Sequence, residues 1–158
     1  MRFEKAVIVR SKTRLEQLIE RFNTKAQAEF YIERSGGDFK TYVKEHEKFY
    51  SSLERLISAV SVFDSYKVLE RNFVHSYVFS EGELIIVLGQ DGLVANTAKY
   101  VLGKPIVAIN PDSDTYDGIL LPFNVKKFEK SLLQIQKGDY KARKITMAEA
   151  SFSDGQTL

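Results

Sequence analysis

The residues that most clearly suggest chemistry form a short turn, Gly89-Gln90-Asp91-Gly92, between an apolar run and a helical pattern. The carboxylate of Asp91 could act as a general base, hold a divalent metal or hydrogen-bond the hydroxyls of a ribose. Gly89 and Gly92 would let a phosphate approach the backbone, because glycine has no Cβ. A tight turn in which Asp91 only caps the following helix explains the same residues equally well.

This turn lies inside a βαβ pattern that spans residues 84–110. The apolar run at 84–88 predicts a buried strand, residues 93–102 predict a helix, and residues 106–109 predict a second strand. In open parallel sheets, ligands bind beyond the carboxyl ends of the strands, close to helix N-termini. Asp91 is therefore expected at that edge of the sheet, with its carboxylate facing a cleft.

Three further residues are candidates for the same edge. Asn110 ends the second strand, so its amide could bond a hydroxyl or a phosphate, or it could simply start the turn at Pro111. Asn96 lies in the first turns of the helix, where it could face a ligand or solvent. Leu93 begins the helical pattern, and the free backbone N–H groups of a helix start attract anions.

Local signals define the other elements. Residues 6–9 are an apolar, β-branched run, which is typical of a strand covered on both faces. Thr13, Thr24 and Asp38 are expected to begin three helices, because short polar side chains cap helix N-termini. The remaining expectations are a strand at 66–69, a strand or an irregular connection at 73–79, a helix at 125–136 and a strand at 140–149.

Two charged segments have simple interpretations. Asp112, Asp114 and Asp117 share one loop, but this loop lacks the spaced oxygens and final glutamate of a calcium-binding loop, so a solvated acidic turn is expected. The charges of the third helix predict a solvated helix face. They are Lys44, Glu45, Glu47 and Lys48.

Composition limits the function classes. The chain has 158 residues, enough for one ordinary domain, and its net charge of +2 argues against a nucleic-acid partner. No apolar run approaches the roughly 20 residues that cross a bilayer, so no membrane partner and a cytoplasmic location are expected. Cysteine is absent, which excludes disulfides and thiolate chemistry. With only His46 and His75, a multi-histidine zinc site is disfavoured.

Together these patterns predict an α/β fold of three layers, in which a mostly parallel sheet carries helices on both faces. The chain contains no Gly-x-Gly-x-x-Gly pattern, no Walker loop and no Ser/His/Asp grouping. Hydrolases that use an activated nucleophile are therefore poorly supported.

The turn also resembles a known family. Gly89-Gln90-Asp91-Gly92-Leu93 resembles the Gly-Gly-Asp-Gly-Thr signature of the NAD kinase superfamily, and residues 106–110 resemble the family's next strand, which ends in Gly-Ile-Asn. Asp154-Gly155 resembles an early hairpin of the family's second domain. The resemblance implies a Rossmann-like, NAD kinase N-terminal fold in a truncated protein. Residues 1–123 would form the nucleotide-binding domain, and residues 124–158 a linking helix plus the first strand of a β-rich second domain.

The chemistry implied by this resemblance is phosphoryl transfer from ATP or polyphosphate to the 2′-hydroxyl of the adenosine ribose of NAD. Asp91 would orient or deprotonate that hydroxyl, and magnesium would bridge the donor phosphates. The candidate nucleotide contacts are Gly89, Gln90, Gly92, Leu93, Asn96 and Asn110.

Departures from the family pattern leave alternatives open. Gln90 stands where the family has glycine and Leu93 where it has threonine, and these two departures would support the alternative of a non-catalytic nucleotide-binding or interaction module of the same fold. A lipid kinase of the same superfamily is disfavoured, because Ala95-Asn96 replace its Asn-Glu pair. The Asn-Asp or Asn-Glu motif of the second domain is absent, so these residues alone are expected to be inactive or nearly so. An unpaired strand at 140–149 would favour a homodimer through its edge.

Overall fold

One five-stranded parallel sheet organises the protein. The structure, a computed structural model, describes residues 2–148 and residue 153. The strand order is β2-β1-β3-β4-β5, and every neighbouring pair is parallel. This sheet and its flanking helices confirm the predicted α/β fold. The strands are β1 (Lys5–Arg10), β2 (Ser65–Glu70), β3 (Glu83–Leu88), β4 (Ile106–Asn110) and β5 (Phe123–Asn124).

The helices begin where the capping residues predicted them. The side chain of Thr13 accepts a hydrogen bond from the backbone N–H of Glu16, whose carboxylate accepts one from the Thr13 N–H. The side chains of Thr24 and Asp38 cap the next two helices by accepting from the backbone N–H groups of Gln27 and Lys40. The helices are α1 (Arg14–Phe22), α2 (Lys25–Arg34), α3 (Phe39–Val60), α4 (Asp91–Ala98) and α5 (Val125–Gln136), and a 3₁₀-helix covers Arg71–Ser76.

Apolar side chains fill both faces of the sheet, because alternate residues of a strand point to opposite sides. One face packs against α3 and α5, with Leu56 and Phe128 completely buried there. The opposite face packs against α4 and the 3₁₀-helix through Leu93, Val94 and Val74. Helices α1 and α2 form a smaller cluster with the start of α3. The result is the predicted three-layer arrangement.

The βαβ unit is confirmed, with one change of length. Helix α4 ends at Ala98, four residues before the predicted end at residue 102. The chain turns after it, and both Leu102 (φ 52°) and Gly103 (φ 77°) adopt the left-handed conformation, which a helix cannot contain. Between β2 and β3, residues 73–79 form the end of the 3₁₀-helix and then an irregular connection, not a strand.

The prediction of a strand at 140–149 is wrong for residues 140–148, which are the part of this segment that the structure describes. Residues 139–148 form no helix or strand, and Ile145 and Met147 are about half exposed. Apolar residues at strand-like spacing form a strand only when a neighbouring strand supplies hydrogen bonds, and this segment has no such neighbour among the described residues. The hairpin expected at Asp154-Gly155 lies outside the described residues, and homodimerisation remains a prediction.

Helix α5 packs directly on the sheet. Its inward residues Val125, Phe128, Leu132 and Ile135 join the same apolar cluster as β1, β3 and β4. The N–H of Phe3 donates to the carbonyl of Gln136 at 2.9 Å, which ties the helix end to the start of the chain. The division of the chain at residue 123 remains a prediction. Across the described part of the chain, no helix combines the length and apolar character needed to span a membrane.

Candidate functional site

The topology of the sheet puts the Gly89–Gly92 turn at a place where ligands commonly bind. The connection that leaves β1 leads to β2 on one side, whereas the connection that leaves β3 leads to β4 on the other side. Adjacent strands whose connections diverge in this way open a crevice at their carboxyl ends. Gly89 and Gln90 directly follow β3 and lie at this divergence.

The first turn of α4 leaves two backbone donors free. Gln90 is the N-cap, and its side chain makes no capping hydrogen bond. Its carbonyl accepts from the N–H groups of Leu93 at 2.9 Å and Val94 at 3.3 Å. Within the described part of the chain, the N–H groups of Asp91 and Gly92 have no acceptor. Free donors at a helix start, together with the helix dipole, favour an anionic group.

Asp91 does not cap its own helix. Its Oδ2 accepts a hydrogen bond from the backbone N–H of Ile119 at 3.0 Å, and its Oδ1 accepts one from the N–H of Leu120 at 3.0 Å. The side chain is half-buried and reaches the loop between β4 and β5, residues 111–122, which we call the β4–β5 loop. Neither the open carboxylate nor the self-capping residue expected from the sequence describes this arrangement.

The two glycines of the turn have different surroundings. A Cβ at position 89 would lie 2.8 Å from Cδ2 of the buried Leu93, so a larger residue there would force this methyl group to shift. Within the part of the chain that the structure describes, a Cβ at position 92 would meet no atom within 4 Å beyond the adjoining residues and the backbone of α4. Neither glycine has a positive φ. Packing therefore favours glycine at position 89 and, among the described residues, does not call for it at position 92.

Two of the other candidate contacts are used inside the protein. Leu93 is 5% exposed and its side chain lies in the apolar core, away from the crevice. Asn110 is 5% exposed; its Nδ2 donates to the Tyr116 carbonyl at 2.7 Å and its Oδ1 accepts from the Asp112 N–H at 2.9 Å. Asn110 therefore braces the β4–β5 loop. Gln90 is exposed and Asn96 half-exposed.

The loop is held at a second place by an ion pair that the sequence did not reveal. Nζ of Lys48 lies 3.0 and 2.9 Å from the two carboxylate oxygens of Asp112 and 3.3 Å from the hydroxyl of Thr115. Burial alone would raise the pKa of Asp112, but the hydrogen bonds from Thr115 and Lys48 and the lysine charge lower it below its usual value. The solvated acidic turn predicted here is correct for the exposed Asp114 and Asp117 and wrong for Asp112.

A buried arginine lies at the carboxyl end of β1, beside the same crevice. Arg10 is 8% exposed and donates to Glu16, Tyr50 and Glu70. These residues come from α1, α3 and β2. The cluster therefore links two of the three helices that connect β1 to β2 with the sheet itself. The only sequence signal was a charged residue that ends an apolar run. The cluster is fully paired and serves as a support for the edge.

Comparison with known proteins gives one consistent similarity. An NAD kinase from Saccharolobus islandicus is 26% identical over 94 residues, which are 60% of this chain and 36% of that protein. An NAD kinase from Saccharolobus solfataricus is 33% identical over 72 residues, which are 46% of this chain and 27% of that protein. No family model matches the chain. The chain spans about a third of the length of these curated relatives, and over that part it is similar to NAD kinases, as the Gly89–Leu93 turn and the βαβ unit indicated.

Proposed function

We propose that this chain forms the nucleotide-binding part of an NAD kinase-like protein. The reaction would be phosphoryl transfer from ATP or polyphosphate to the 2′-hydroxyl of the adenosine ribose of NAD. The similarity to NAD kinases supports the family relationship. The parallel sheet supports nucleotide binding, because ligands of such sheets commonly bind beyond the carboxyl ends of the strands. For these residues the proposed property is nucleotide binding, and transfer is expected from a longer protein that contains them.

The observation that carries the proposal is the open space at Gly92. Glycine in a helix costs about 0.5–1 kcal/mol relative to alanine, and here no neighbouring atom requires it. The free N–H groups of Asp91 and Gly92 point out of the helix start, where they can hydrogen-bond phosphate oxygens. A missing Cβ allows a phosphate to come close to those donors. Approach of a ligand thus explains a glycine that packing does not.

The remaining roles follow from what each side chain still has available. Each carboxylate oxygen of Asp91 accepts one backbone N–H and keeps a lone pair, so it can also accept a hydroxyl of a bound ribose. Asp91 would orient the attacking 2′-hydroxyl in this way. Gln90 and Asn96 remain accessible for polar contacts with the nucleotide.

Magnesium fits this proposal as a companion of the donor phosphates. The described residues contain no group of three His, Cys, Asp or Glu side chains that could hold a metal ion. The donor phosphates would therefore supply most of its ligands, as is common for magnesium in phosphoryl transfer. When bound, the ion would neutralise charge that develops on the phosphates.

The test is calorimetric titration of NAD into wild-type protein and two valine variants. Gly92→Val places a branched side chain over the free donors and is expected to weaken NAD binding at least about tenfold. Lys126→Val is the matched control, because Lys126 occupies the same second helical position of α5 and is exposed. Equal NAD affinity in all three proteins, or no binding by the wild type, would refute the proposal.

A second candidate is a nucleotide-binding module without turnover. The side chain of Leu93 is buried, so it offers no hydroxyl where the family signature has threonine. Asp91 already has a structural contact with Ile119 and Leu120, which explains its presence without any substrate hydroxyl. NADP formation by a longer protein containing these residues, measured with ATP and magnesium, separates the two. Tight NAD binding without NADP formation would favour the module.

A further inference from the structure

The β4–β5 loop is fixed to the rest of the protein by side chains at both of its ends. Asn110 and Lys48 hold residues 112–116 through the hydrogen bonds described above. Asp91 holds Ile119 and Leu120. Between these points lies Gly118, where an added Cβ would lie 2.4 Å from Cδ1 of Leu121. The loop is thus closely fitted, and its second anchor is the candidate site residue itself.

The contact with Asp91 is well suited to holding a backbone segment. Two consecutive N–H groups meet the two oxygens of one carboxylate at equal distances of 3.0 Å. Hydrogen bonds to a charged acceptor are stronger than those between neutral groups. The side chain of Ile119 is 84% exposed, so packing does little to hold this residue, whereas Leu120 and Leu121 pack against the apolar cluster. The hydrogen bonds to Asp91 therefore add to that packing and are the main restraint on the backbone of Ile119.

We propose that Asp91 is a positioning residue, which acts through the backbone of Ile119 and Leu120 to hold the β4–β5 loop against the start of α4. The loop then forms a fixed wall beside the free donors of Asp91 and Gly92. A nucleotide at that place would meet a wall that is already ordered, which reduces the entropy lost on binding. The identity of the ligand rests on the proposed function, whereas the hold on the loop does not.

The hold is tested without any ligand by amide hydrogen exchange of the 158-residue chain. In Asp91→Asn, the side-chain oxygen can accept from only one of the two donors, while its NH₂ group opposes the other. Exchange at Ile119 and Leu120 is expected to become at least about tenfold faster. Asp117→Asn, the same change at an exposed position of the same loop, is expected to alter exchange less than about twofold. Unchanged exchange in Asp91→Asn would overturn the proposal.

A second pair of variants separates action through the loop from direct action of the carboxylate. Ile119→Pro removes one N–H donor and leaves Asp91 intact, whereas Ile119→Ala keeps the donor and changes the same exposed side chain. If Asp91 acts through the loop, Ile119→Pro weakens NAD binding several-fold and Ile119→Ala does not. Equal NAD binding by both variants would overturn that role. Absence of NAD binding in the wild type would refute the proposed function. The hydrogen-exchange measurement on Asp91→Asn would still show whether Asp91 holds the β4–β5 loop.

Discussion

Arg10 and Glu16 form a two-bonded ion pair, with Nη1–Oε2 at 3.1 Å and Nη2–Oε1 at 2.9 Å. Glu16 also accepts from the N–H of Thr13 and the hydroxyl of Tyr50, both at 2.7 Å. The Glu16 carboxylate therefore helps to cap α1, compensates the charge of Arg10 at the end of β1 and contacts Tyr50 of α3.

The first prediction concerns the pH dependence of this ion pair. Burial opposes ionisation of Glu16, but the hydrogen bonds from Arg10, Thr13 and Tyr50 and the arginine charge lower its pKa from 4.5 to about 2. Because the folded pKa is depressed, the stabilisation is complete above about pH 4.5 and is lost as the pH falls towards 2. We expect a loss of about 1–2 kcal/mol, after allowance for solvent screening.

Urea unfolding between neutral pH and pH 2.5, compared for wild type and Glu16→Gln, measures this loss. The variant should be less stable at neutral pH and lose less stability on acidification. Glu29→Gln, at an exposed position of α2, should follow the wild type. Parallel acid curves for the wild type and Glu16→Gln would contradict the assignment.

The second prediction concerns Phe128 and the boundary of the domain. Its side chain is completely buried between α5 and the sheet. Phe128→Ala should destabilise the protein by about 3–5 kcal/mol, because it leaves a cavity in the main core. Leu133→Ala, on the same helix but 64% exposed, should cost less than about 0.5 kcal/mol. If residues after 123 form only a link to another domain, Phe128→Ala will leave the urea midpoint unchanged.

Much of this fold could be predicted because its signals are local. Thr13, Thr24 and Asp38 mark helix starts through bonds to residues two or three positions away. The apolar runs of β1 and β3 need no knowledge of their neighbours. β5 could not be predicted in this way, because its two residues, Phe123–Asn124, are too few to form a pattern.

The contacts at the candidate site could not be predicted, because they join distant parts of the chain. Asp91 and Ile119 are 28 positions apart, and Lys48 and Asp112 are 64 apart. No periodicity reports such pairs. The sequence placed Asp91 at the carboxyl edge of the sheet but could not tell that its carboxylate binds the β4–β5 loop. For the same reason, the sequence suggested Asn110 as a residue that contacts a ligand, whereas its side chain hydrogen-bonds the backbone of that loop.

The third prediction tests the ion pair between Lys48 and Asp112. Lys48→Met removes the charge that compensates a carboxylate with only 8% side-chain exposure. We expect a loss of about 1–2 kcal/mol, less than for a fully buried pair, because the Lys48 side chain is 38% exposed. Lys44→Met, one turn earlier on α3 and exposed, should be nearly neutral. A double-mutant cycle with Asp112→Asn isolates the pair, and a coupling energy of zero would contradict it.

The fourth prediction concerns Gly92, where stability and function should change in opposite directions. Among the described residues, no atom beyond the adjoining residues and the backbone of α4 lies within 4 Å of a Cβ built there, and the backbone has no positive φ. Gly92→Ala should therefore stabilise the fold by about 0.5–1 kcal/mol in urea unfolding, since alanine loses less conformational entropy than glycine. The same methyl group would stand over the free N–H donors and weaken NAD binding several-fold in calorimetric titration. Gly118→Ala is the contrasting variant, because its Cβ would lie 2.4 Å from Cδ1 of Leu121, and it should destabilise the protein by about 1–3 kcal/mol. If Gly92→Ala gains stability and binds NAD as the wild type does, the glycine serves no ligand and the proposed phosphate approach is wrong.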